Sequence, residues 1–125
     1  MIDEPIPADL RDFILRHIDS VAHLEALLLL RTNPELRWEA PAVAARLYIG
    51  VHQAAEVLAQ LREERLLAAE DNLYSYGGQS TEMVAMIDRL ADSYAKQLIP
   101  ITNLIHGKPR RIRQFADAFK FRKGR

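Results

Sequence analysis

The sequence predicts a mainly α fold: a helix-turn-helix with a small two- or three-stranded wing sheet, and added helices at both ends. Three observations carry that prediction. Apolar residues recur at spacings of three and four through "VAHLEALLLLR", "APAVAARL" and "VHQAAEVLAQL", the period of helices with one buried face. The second and third of these segments are separated only by "YIG", which leaves room for a tight turn and nothing more. Finally, Asp71 and Asn72 form a turn pair between "LLAAE" and "LYSYG", the pattern of a short hairpin.

Each element can be justified in order. Pro7 and Asp9 open an N-terminal helical extension, residues 1–20, in which Leu10, Phe13, Ile14 and Ile18 share a face. Asp19 or Ser20 is suited to cap a helix that ends before "TNPE". Whether residues 8–30 form one helix or two is left open by the pattern. Leu24, Leu27, Leu28 and Leu30 cover so much of the second segment that it belongs at the centre of the core. Arg37 and Trp38 lie between Pro34 and Pro41 and suit a short first strand.

Pro41 fits the first turn of a helix running to about Leu47, where its missing N–H would have had no partner anyway. Gly50 is a tolerated N-cap for a helix over 51–64, whose inward stripe is Ala54, Val57, Leu58 and Leu61. A hairpin over 66–77 follows. Ser80 then caps a long helix, 79–106, which Pro100 should kink or restart and which Gly107 and Pro109 end. Met83, Ile87, Leu90 and Tyr94 form an apolar seam on it at spacings of four, three and four. Such a seam packs either on a twin chain, as an oligomer interface, or on the first two helices of its own chain.

Length and composition narrow the class. The 125 residues suit a single domain, 1–125, and 49% are hydrophobic, enough for a real core. With no Cys, disulfides, thiolate metal sites and cysteine nucleophiles are excluded. "MIDEPIPADLRDF" lacks the apolar run of a signal peptide, and "LEALLLL" is too short to cross a bilayer, so a cytoplasmic protein with no membrane partner is expected.

The net charge of zero conceals a split. Residues 108–125 hold eight basic residues against one acid, Asp117, while the other 107 residues hold nine bases and sixteen acids. A polarised chain of this kind suggests a tail that meets an anion: nucleic acid, an acidic partner or the protein's own acidic body. A solvated tail explains the charge equally well. Its stripe of Ile112, Phe115, Ala116 and Phe119 reads as a short amphipathic helix docked by its Phe face.

Residues 21–77 resemble the bacterial winged helix-turn-helix transcription regulators, broadly the MarR-like group. The resemblance lies in "LEALLLL", "APAVAARLYIG" and "QAAEVLAQLREERLL", followed by the hairpin. Arg65 stands where that family often has a Gly before the wing's first strand. The resemblance implies that the second helix of the motif enters the DNA major groove while the wing touches the backbone. Carried over residue by residue, the base-facing positions are His52, Gln53, Glu56 and Gln60. Gln pairs with adenine and Glu accepts from cytosine, so base reading is chemically sound.

The phosphate term is harder to find. No Lys or Arg occurs between Val51 and Leu61, and the wing tip offers Glu70, Asp71 and Asn72. Arg110, Arg111, Arg113, Lys120, Arg122 and Lys123 of the tail are then the candidate backbone contacts. Two classes of function follow. One is a transcription regulator that binds double-stranded DNA through helix 51–64 with help from the tail. The other is a winged-helix module whose acidic wing and exposed helix face a protein partner.

Catalysis finds no footing. His17, His23, His52 and His106 do not fall in ligand spacing with one another, and the pair Asp19 and His23 supplies only two ligands. It reads as an ordinary surface pair. "GGQS" lacks the strand-to-helix context of a phosphate loop or a nucleophile elbow. Neither an enzyme activity nor a cofactor nor a metal is expected.

Overall fold

A computed structural model describes residues 5–108 of the chain. Its elements are α1 (Ala8–His17), α2 (Val21–Thr32), α3 (Ala40–Leu47), α4 (Val51–Glu63), β1 (Ala68–Glu70), β2 (Leu73–Ser75), α5 (Thr81–Lys96) and α6 (Leu98–His106). Among the described residues the protein is mainly helical, with one small antiparallel sheet.

Residues 8–32 form two helices, not one. α1 stops at Ile18, whose extended backbone (φ −111°) breaks the helix, and Ser20 caps α2 by accepting the His23 N–H at 3.2 Å. Leu24, Leu27 and Leu30 of α2 are fully buried and centre the core as expected. Leu28 is only partly buried and packs against the edge of that core.

Helices α3 and α4 pack on each other and on α2. Both end in the same way. After α3, Tyr48 turns left-handed (φ 59°, ψ 46°) and the Ile49 N–H reaches back to the Ala44 carbonyl at 3.1 Å. After α4, Arg65 turns left-handed (φ 65°) and the Leu66 N–H reaches the Leu61 carbonyl at 2.9 Å. These six-to-one bonds satisfy helix-end carbonyls that a Gly-centred turn would otherwise serve. Arg65 thus adopts a left-handed conformation that ordinarily favours Gly.

The hairpin pairs Ala68 with Ser75, Ala69 with Tyr74 and Glu70 with Leu73. Asp71 (φ 53°) and Asn72 (φ 69°) both have positive φ, the requirement of the two-residue turn whose twist matches the strands it joins. The expected first strand is reduced to a single bridge: Trp38 and Tyr74 exchange both backbone bonds at 2.8 Å.

The long C-terminal helix is two helices. The break falls at Gln97, not at Pro100. Had α5 continued, the Pro100 ring would have met the Lys96 carbonyl four residues back. Unwinding at Gln97 places Pro100 third in α6, within the first turn, where no N–H is needed.

Ile87 and Leu90 are fully buried within this chain, in the same core as Leu10, Ile14 and Ile101. That corrects the reading of these two residues as an oligomer interface. Met83 and Tyr94 are partly buried against the same core, and the Tyr94 hydroxyl lies 3.4 Å from Glu25 of α2. Ion pairs close the outer side of α5, Arg89 to Asp9 of α1 at 2.6 Å and Arg31 of α2 to Asp88 at 3.0 Å.

Candidate nucleic-acid interface

Helix α4 presents the candidate surface. Ala54, Val57, Leu58 and Leu61 are buried against α2 and α3, which fixes the rotation of the helix. His52, Gln53 and Glu56 consequently lie on its outer side and are exposed. His52 and Glu56 pair one turn apart at 3.5 Å, and both side chains are largely in solvent. Such a pair contributes little to stability.

Gln60 does not join them. It turns toward the α1–α2 junction, where its amide nitrogen donates to Asp19 Oδ2 at 2.5 Å. Its oxygen is then the acceptor facing His23 Nε2 at 3.0 Å, so that ring nitrogen carries the proton. His23 Nδ1 lies 2.7 Å from the Ser20 hydroxyl. One turn further along, Glu64 Oε1 meets His17 Nδ1 at 2.5 Å. Gln60 is therefore a structural link and not a base-facing side chain.

The contrast with Gln53 has a simple geometric cause. The two glutamines are seven residues apart and so share one stripe of α4. The α1–α2 junction covers only the C-terminal end of that stripe.

Asp19 and His23 are likewise no surface pair. His23 is buried at 8% exposure and Asp19 is mostly covered. Besides Gln60, Asp19 holds Lys108, whose ammonium donates to Asp19 Oδ1 at 2.7 Å and to the Ile18 carbonyl at 3.0 Å. Lys108 is the first of the tail's basic residues. Its anchoring places Lys108 beside the C-terminal end of α4. Arg110, Arg111, Arg113, Lys120, Arg122 and Lys123, and the apolar stripe around Phe115, lie outside the described residues.

The sequence carried a faint signal for this network. Ser20, Asp19 and His23 cluster at a helix start, where short polar side chains cap and bond to neighbours. Nothing in the spacing pointed to Gln60 or Lys108 as their partners.

Electrostatics near α4 are mixed. Arg46 lies with its guanidinium 5.5 Å from the centre of the Trp38 ring, a cation–π contact that leaves it exposed. Arg37 is 3.8 Å from Glu70. Glu70, Asp71 and Asn72 are exposed at the hairpin tip. Arg62 and Arg65 are exposed at the far end of α4, beside Glu63 and Glu64.

Among the described residues, no three His, Asp or Glu side chains gather as a metal site, and no helix is long and apolar enough to cross a membrane. Comparison with protein-family models, with curated proteins and with solved structures finds no match to the chain.

Proposed function

We propose that the chain is a winged-helix DNA-binding protein of the transcription-regulator kind, with α4 as the reading helix and the basic tail supplying most phosphate contacts. The observation that carries this reading is the orientation of α4. Its buried stripe leaves His52, Gln53 and Glu56 exposed on the outer side, on a helix that a hairpin follows directly in the chain. The order α2, the Trp38 bridge, α3, α4 and hairpin is the order of elements in a winged helix, with β2 between β1 and Trp38. The Lys108 anchor starts the tail at one end of the same helix. A cytoplasmic, bacterial regulator without enzyme activity or cofactor is the setting in which such a module acts.

A second reading rests on the acidic hairpin tip and on the absence of any Lys or Arg on α4 between Val51 and Leu61. These features suit a winged-helix module that docks a protein partner. A titration of the full chain against random-sequence duplex at several salt concentrations separates the two. The DNA reading predicts binding whose logarithm falls linearly with the logarithm of salt concentration. Absence of binding at the lowest salt would transfer the function to the protein-docking reading.

A further inference from the structure

Tyr48 stands in the turn between α3 and α4, 94% exposed, so its ring adds nothing to the core. Its backbone is nevertheless held at φ 59° and ψ 46°, a conformation that disfavours any residue with a β-carbon and suits Gly. The bond from Ile49 N–H to the Ala44 carbonyl imposes that conformation, and it aims the side chain outward from the turn. Gly50, Val51, His52 and Gln53 follow and are all exposed, and a β-carbon on Gly50 would meet nothing within 4 Å. Tyr48 thus borders an open shelf that continues into the outer side of α4. A bulky aromatic held in a strained turn and turned to solvent is available to an outside partner.

This shelf carries no Lys or Arg to meet phosphate. Ionic contacts are one solution, but tyrosine hydroxyls also donate to phosphate oxygens and fix the register of a protein on the duplex. We propose that Tyr48 is a direct DNA-backbone contact, its phenol O–H donating to a phosphate oxygen and seating the first turn of α4 against the groove. This inference rests on the DNA reading above. It also answers how α4 is positioned when it carries no Lys or Arg near its start. A neutral donor displaces no counterion, so this contact adds affinity without adding salt dependence.

The test compares the full chain with Tyr48→Phe and Tyr48→Gly, titrated against random-sequence and selected duplexes at several salt concentrations. Each variant should bind about ten- to a hundred-fold more weakly, the scale of one hydrogen bond to a charged group. The loss should be equal on both duplexes, and the salt slope should stay as in the parent chain. Tyr48→Gly should melt at or above the parent because the turn strain is relieved; if it melts lower, Tyr48→Phe alone carries the comparison. Parent-like affinity in Tyr48→Phe would overturn the hydroxyl contact, and so would a loss confined to the selected duplex. A parent chain that binds no duplex would overturn the DNA reading itself, a different result from a parent that binds and a variant that binds as well.

Discussion

Leu27 and Leu28 are adjacent, yet one is fully buried and the other lies at the edge of the core. Leu27→Ala should cost about 2–5 kcal/mol in chemical denaturation, the range for a buried leucine whose cavity cannot collapse. Leu28→Ala should cost clearly less, and equal losses would mean that α2 is rotated from the position described. Gln53 and Gln60 form a second contrasting pair. Gln53→Ala should weaken preference at one base pair by about 1–3 kcal/mol while leaving stability intact. Gln60→Ala should do the reverse, lowering stability by about 1–3 kcal/mol because His23 and Asp19 are each deprived of a buried partner. The stripe of apolar residues on α4 was legible in the sequence because burial imposes its period. Which end of the Gln53–Gln60 stripe would be covered was not legible, since that depends on where the α1–α2 junction docks.

At the scale of elements, the spacing of the α5 seam points to burial and leaves its partner open, and Ile87 and Leu90 find that partner within the chain. That spacing says that Ile87 and Leu90 meet something apolar, but spacing does not say whose chain supplies it. Ile87→Ala should lower stability by about 2–5 kcal/mol, with a transition midpoint independent of protein concentration. A midpoint that rises with concentration would return the seam to a partner copy. The α1–α5 contact gives a pH prediction. The Arg89 guanidinium, bonded to both Asp9 oxygens at 2.6 and 2.9 Å, holds the Asp9 carboxyl below its usual range, with smaller help from the Leu10 N–H. A depressed carboxyl stabilises the fold above the ordinary aspartate range and loses that contribution as pH falls through the lowered value. Arg89→Gln should flatten that part of the acid-side stability curve, by a small amount because the pair is exposed. Caps and turns were the most legible elements: Ser20, Gly50 and Ser80 start helices, and Asp71–Asn72 turns the hairpin. The break at Gln97 was not, because the chain avoids the Pro100 clash by unwinding three residues ahead of it.

The whole molecule is a body with more acids than bases and a basic tail, joined where Lys108 is clasped by Asp19. Duplex DNA would be repelled by the hairpin tip and by Glu56 unless the tail contributes the attraction. In the proposed DNA-binding role, base reading and most of the phosphate binding would fall to separate parts of one chain, and removing one part should leave the other's signature intact. The most direct measurement is a salt titration of duplex binding by the full chain and by a chain ending at residue 119, on random and selected sequences. Both chains should bind, and the shortened chain should bind all sequences more weakly by the same factor. Its salt slope should be shallower by about 0.9 for each phosphate that the tail no longer neutralises. An unchanged slope and affinity after truncation, or no duplex binding by the full chain at low salt, would contradict it.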